Sequence, residues 1–337
     1  MLFRSGNVND QLALQAQNAW KDNMDILQKV GETQDSTMEN LSKFTADPGR
    51  FRDMIATEKV KSIVDSIIRS ILGQEPLVVN LASIRTKDGF LFQHALDVAI
   101  TCTMIGSRLK FPMQDIQELA LGSFLMDLGM IIVPPSMMDK KDPLTPAEAN
   151  LYREHPSVGF AILRANEGIP INAAHVAFQH HERLDGSGYP RGLKSADQFP
   201  HKILHNAGGS IHRYAQVAAV ADAYLSAISP RPGTADPMTP MEAMRMMINE
   251  AGKRLNSHVV NALITLVPAF PQGTRIVVTK ASTSILVGHT GVVSQANLIN
   301  SDKPQVILLL DKFKRKIKPL LLDLTEEKEV EIQFAPV

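Results

Sequence analysis
Residues 180–190 read HHERLDGSGYP. Two adjacent imidazoles, His180 and His181, are followed by Glu182, Arg183, Asp185 and a turn at Gly188, Tyr189 and Pro190. Neighbouring side chains on a regular element point apart, so adjacent histidines reach a common centre only at a helix end or in a loop. There they can hold one metal ion or two neighbouring ones, while the glycines and the proline supply a turn beside them. The doublet alone also fits a polar surface loop, and at this point both readings stand.

Around this stretch the chain has 337 residues, a length that suits two domains with an N-terminal extension and allows a full core. Lys+Arg and Asp+Glu are both 35, so the formal net charge is zero. Nothing global favours a nucleic-acid polymer or an anionic membrane, although a local basic patch could still hold a phosphate. The one cysteine, Cys102 in VAITCTMIG, excludes an intramolecular disulfide and reads as a small core residue. MLFRSGNVNDQ is polar after its third residue and no 18-residue apolar stretch exists. The expectation is a soluble cytoplasmic protein with no signal peptide and no membrane span.

Three segments follow from the patterning. In residues 1–75, Ala13, Ala16, Trp20, Met24, Leu27 and Val30 recur at helical spacing. A second helical stretch follows ADPGR (46–50), so this region reads as an N-terminal helical extension that packs on its own domain or serves dimerisation or signalling. Residues 76–270 read as helical throughout, punctuated by FPMQD (111–115), PLTPAEA (143–149) and PRPGTADPMTPMEA (230–243). Thr145-Pro146 and Thr239-Pro240 each look like a helix N-cap with proline in the first turn. Residues 271–337 change character. RIVVT (275–279), SILVGHTGVVSQA (284–296), QVILLLD (305–311), IKPLLLDL (317–324) and EVEIQFA (329–335) are short, β-branched and separated by turn residues, predicting a small all-β module.

The motif at 180–190 matches HHExxDGxGYP, and the chain resembles the HD-GYP family over residues 80–270. That resemblance implies a mainly α fold, the helical bundle of the HD superfamily, and metal-dependent hydrolysis of the bacterial messenger cyclic di-GMP. The family's ligand positions carry over onto His94 in FLFQHALDVAI, Asp127 in FLMDLGM, His155 in YREHPSVGFAIL, the pair His180 and His181, and Asp222 in VAAVADAYLSAI. By resemblance, Asp127, His155, His180 and His181 hold one metal, while His94, Asp127 and Asp222 hold another, with Asp127 bridging. Asp127 and Asp222 each put a carboxylate into an apolar run, which is costly unless it is paired or metal-bound. Mixed imidazole and carboxylate ligation suits a divalent transition metal, Fe or Mn foremost, as one or two ions. The expected catalytic groups are Asp127, His180 and His181. Arg183, Gly188, Tyr189 and Pro190 are expected on the substrate side, facing cyclic di-GMP or a related cyclic dinucleotide. A homodimer or a signalling protein is a further expected partner.

The chain departs from the family at its namesake dyad. The family writes HD with a lysine three residues after the aspartate, whereas this chain reads Met126-Asp127-Leu128-Gly129-Met130. Met126 stands for a histidine ligand and Met130 for a phosphate-supporting lysine. A thioether is a poor ligand for borderline divalent ions. Residues 194–214 are additional material, whose His201, His205 and His212 read as surface residues. Three expectations compete: an active cyclic di-GMP phosphodiesterase with weakened activity, a catalytically inactive domain that senses a cyclic dinucleotide or binds a protein, and an HD-superfamily hydrolase for another phosphate ester.

Overall fold
The computed structural model describes residues 57–72, 90–138, 140, 142–199, 210–229, 236–282, 285–297, 300, 302–327 and 329–335. The amphipathic helix expected at 13–30, the break at 46–50, His201 and His205 lie outside the described residues.

The chain divides into two compact units, one ending at Pro237 and including Met247–Ala262, the other made of Met238–Met246 and Leu263–Val337. The helices in order are α1 Thr57–Leu72, α2 Phe90–Arg108, α3 Met113–Phe124, a 3-10 turn Leu128–Ile132, α4 Pro135–Met138, α5 Pro146–Arg153, α6 His155–Ala165, α7 Ile171–Gln179, α8 Arg213–Ile228, α9 Pro240–Glu250 and α10 Ser257–Ile264. None of the described helices is long and apolar enough to cross a membrane.

α8 is the central rod. Ala215, Val217, Ala218, Ala219, Val220 and Ala221 are all buried, and these small side chains let α2 and α7 pack closely on it. α2 is likewise apolar on several faces, with Ala95, Val98, Cys102 and Ile105 buried, so it too is an interior helix. α3 packs on α2 and α7, and α6 packs on α7 and on the 3-10 turn. α5 has no buried residue, and its stability rests on its cap. The Thr145 hydroxyl accepts from the Glu148 amide, so Thr145 is the N-cap the sequence suggested, and the Glu148 carboxylate in turn accepts from the Thr145 amide. Thr239 and Glu242 repeat this arrangement at the start of α9.

One close approach sets the register of the metal-bearing elements. A Cβ at Gly129 would collide with the His155 carbonyl oxygen and lie 2.6 Å from the Gly159 nitrogen. The 3-10 turn therefore sits directly on the start of α6, backbone against backbone. We expect Gly129→Ala to destabilise the chain by about 2 kcal/mol, since backbone cannot yield as a side-chain tip can. Urea unfolding checks this; an unchanged midpoint would show that the two elements separate freely.

The second unit holds a five-stranded antiparallel sheet, β1 Arg275–Lys280, β2 Thr290–Gln295, β3 Gln305–Leu310, β4 Lys316–Asp323 and β5 Glu331–Phe334, in the order β4-β3-β2-β1-β5. Ile276, Val278, Val293, Val306 and Leu308 form its buried face, at the period of two that the strand reading rests on. The expected strand 284–296 is shorter than read. Residues 285–289 are a turn in which Gly288 takes φ +84°, a left-handed conformation that ends the extended run before Thr290.

Candidate metal centre
Helix ends build the site. Asp127 caps the 3-10 turn after α3, His155 opens α6, His180 is the residue at which α7 ends, and His181 follows it. His94 lies in the second turn of α2 and Asp222 midway along α8. The adjacent histidines converge because α7 stops between them, which frees His181 from the helical direction of its neighbour.

Asp127, His155, His180 and His181 each offer one ligand atom, and these atoms lie within 4.8 Å of one another. His155 Nε2 and His180 Nε2 are each 3.5 Å from Asp127 Oδ1. The opposite ring nitrogens fix the tautomers. His155 Nδ1 donates to the Tyr152 carbonyl at 2.7 Å, and His180 Nδ1 donates to the Ala177 carbonyl at 2.9 Å. A carbonyl only accepts, so both protons sit on Nδ1 and both Nε2 atoms present lone pairs. Those two Nε2 atoms face each other at 3.3 Å. Two lone pairs at that separation repel, and a shared cation beside a carboxylate resolves the conflict. The residues therefore fit a metal, with backbone carbonyls orienting the ligands.

His94 and Asp222 form an adjoining pair, His94 Nε2 to Asp222 Oδ1 at 2.9 Å. Asp222 Oδ2 is 4.0 Å from His181 Nδ1, and Ser226 Oγ donates to Asp222 Oδ1 at 2.9 Å. Met126, which stands in the sequence where the family has its dyad histidine, is fully buried.

The electrostatics suit cation binding. Burial disfavours the charged form of Asp127, but the nearby His180 and the positive fields that the surrounding histidines exert once protonated outweigh it, so its carboxyl lies well below the usual range. Asp222 is held low in the same way, with His94 prevailing over burial. Burial pushes the His155 imidazole down to about 4, against the opposing pull of Asp127, and pushes His181 well below its ordinary value. Both are neutral, ligand-ready rings at neutral pH.

This has a sign for the metal-free chain. Unfolded imidazoles protonate near 6.5, and folded His155 only near 4, so the folded state binds fewer protons across that window. The contribution is complete above 6.5 and falls as pH drops toward 4, by about 3 kcal/mol for His155. The carboxylates act only below this window, where they too lose stability. Urea unfolding of chelator-treated protein at the two ends of the window checks it; equal stability would contradict buried neutral rings.

The rest of the motif is tied down around this centre. Glu182 is buried, and its carboxylate accepts from the amides of Arg191 at 2.8 Å and Leu193 at 2.8 Å, clamping the chain after the turn. Arg183 Nη1 donates to the carbonyls of His180 at 3.3 Å and Glu182 at 3.1 Å. A Cβ at Gly188 would collide with the His181 carbonyl and the Arg183 amide, so only glycine fits there. Tyr189 stacks on His181 with ring centroids 4.6 Å apart, and a cis bond joins it to Pro190. Burial raises the Tyr189 phenol above its ordinary range, so it remains a neutral hydroxyl.

Sequence reasoning left three contributors unassigned: Glu182, Gly129, and Arg153, whose guanidinium lies 5.8 Å from the Tyr189 ring centre. The position of Glu182 inside the motif was the available signal. Nothing in the pattern marked Arg153. His212, expected on the surface, is instead part-buried as the N-cap of α8, where Nδ1 accepts from the Tyr214 amide at 3.3 Å and the ring stacks on His175.

The family described as HD domain matches residues 76–259. A cyclic di-GMP phosphodiesterase of Pseudomonas aeruginosa is 29% identical over 224 residues, 66% of this chain and 50% of that protein. A cyclic di-GMP phosphodiesterase of Thermotoga maritima is 36% identical over 152 residues, 45% of this chain and 38% of that protein. A 3'3'-cGAMP-specific phosphodiesterase of Vibrio cholerae is 27% identical over 198 residues, 58% of this chain and 42% of that protein. The chain belongs to the HD domain family. It spans half or less of the length of these relatives.

Proposed function
We propose that the chain is a metal-dependent phosphodiesterase that opens the ring of a cyclic dinucleotide, cyclic di-GMP foremost, with weakened activity. The observation that carries this reading is the pair of carbonyl-fixed imidazoles, His155 and His180, aimed with His181 at one carboxylate. Asp127, His155, His180 and His181 would hold one divalent transition metal, Fe or Mn; His94 and Asp222, with Asp127 shared, would hold a second. Such ions supply a hydrolytic nucleophile at neutral pH and neutralise charge developing on phosphorus.

The chain's own residues do the rest. Asp127 and Asp222 remain ionised and bring negative charge to the histidine cluster, balancing a cation. The Tyr152 and Ala177 carbonyls hold the rings in the donor-ready tautomer. Gly188, Tyr189 and Pro190 shape the substrate side of the site, where the Tyr189 ring shields His181. Arg183 has Nη1 committed to two carbonyls, so its first duty is to hold the motif in shape.

A second reading rests on Met126 and Met130. Both are buried, at 0% and 5% exposure, where the family has a ligand and a cation. A pocket kept while the nucleophile is weakened is a receptor for the nucleotide, or a platform for a partner protein. Ring opening of cyclic di-GMP by the metal-loaded chain, followed by chromatography, separates the two. Turnover supports the enzyme; stoichiometric binding without turnover supports the sensor.

A further inference from the structure
The C-terminal sheet carries a charge distribution unlike the rest of this neutral chain. Residues 311–318 read DKFKRKIK, with Lys312, Lys314, Arg315, Lys316 and Lys318 against the single acid Asp311. All five cations are exposed. Asp311 is consumed by the turn: its carboxylate accepts from the Phe313 amide at 2.8 Å, the Arg315 amide at 2.9 Å and Arg315 Nε at 2.8 Å. These bonds make the hairpin tip a defined shape.

Phe313 stands at that tip, 65% exposed. The Arg315 guanidinium lies 4.9 Å and Lys312 Nζ 5.2 Å from its ring centre. Lys314 takes φ 63°, a left-handed position that glycine or asparagine fills at less cost. A lysine kept at a strained position in an exposed turn points to use of its charge. The meander adds a second apolar group. The β1–β2 and β3–β4 turns lie at the same end of the sheet, since Thr290 pairs with Leu310, and a Cβ at Gly288 would lie 3.0 Å from the Lys312 Cβ. Ile285, 73% exposed, is in the first of these turns, and residues 281–289 contain no acid.

We propose that this end of the sheet is a peripheral docking surface for an anionic phospholipid bilayer, with Phe313 and Ile285 entering the interface and the five cations meeting headgroups. Cations ringing exposed apolar groups on a protruding tip match the layering of that interface, charge outside and hydrocarbon within. A nucleic-acid site would present aromatic rings flat along a groove, and an aliphatic Ile285 would give a base nothing to stack on.

The test is cosedimentation of the full chain with vesicles of phosphatidylcholine alone, and with about one-third phosphatidylglycerol added. We expect binding only to the anionic vesicles, lost at about 0.5 M salt. Each cation at such a surface multiplies the partition constant about fivefold, so Lys316→Glu/Lys318→Glu should weaken binding at least about twentyfold. Phe313→Ala should weaken it about tenfold and Phe313→Trp should retain it. Circular dichroism confirms that each variant is folded. Absence of binding to anionic vesicles overturns the proposal, as does binding that ignores both the charge and the Phe313 variants. Tighter, Phe313-dependent binding to a single-stranded RNA oligonucleotide also overturns it and reassigns the surface to nucleic acid.

Discussion

Purified without chelators, the chain carries at least one transition metal, and the His180→Ala/His181→Ala variant carries none. This is the largest effect we expect. The four-residue cluster loses two of its donors, leaving only Asp127 and His155 of the four. Disturbing groups that merely orient a ligand costs 10- to 100-fold in metal affinity, and direct ligands contribute more. The variant also loses the His180 Nδ1 bond to the Ala177 carbonyl, at a cost of about 1 kcal/mol, which the fold tolerates. Elemental analysis alongside circular dichroism reads the outcome. A folded variant that keeps its metal would place the centre elsewhere.

The second large effect is a gain. Met126→His with Met130→Lys returns an imidazole to the dyad position and a cation to the position where the family has its phosphate-supporting lysine. We expect tighter binding of a second metal and at least about tenfold faster hydrolysis, equivalent to about 1.4 kcal/mol of barrier. Both methionines are buried, so the metal-free variant should lose about 1–3 kcal/mol of stability through desolvated polar groups. Metal should restore most of that loss. If the parent already hydrolyses cyclic di-GMP fast and restoration adds nothing, Met126 and Met130 are not the weak point. A restored chain that binds two metals yet stays inert would move suspicion to the segment at 194–214, which follows the turn directly.

These two expectations show what the sequence made legible. His94, Asp127, His155, His180, His181 and Asp222 were all named through the resemblance to the HD-GYP family, to which the costly carboxylates of Asp127 and Asp222 in apolar runs added support. The five strands were visible from their β-branched runs and turn residues. The strand at 284–296 was overread because SILV is apolar enough to look extended, while the left-handed Gly288 that ends it leaves no mark in hydropathy. The parts that hold the site were harder. Gly129 matters through a carbonyl contributed by a helix 26 residues away, and Glu182 through amides in the loop beyond the turn. His212 looked like a surface residue because polarity alone does not reveal a cap. Such contacts belong to tertiary geometry, and periodicity carries no record of them.

The measurement that tests the central claim most directly is ring opening of cyclic di-GMP by the full chain, assayed with bound metal counted in the same sample. The account predicts slow, chelator-sensitive formation of the linear dinucleotide that scales with metal content and vanishes in the His180→Ala/His181→Ala variant. A metal-loaded chain with no turnover, or turnover that survives both chelation and loss of the two histidines, would contradict it.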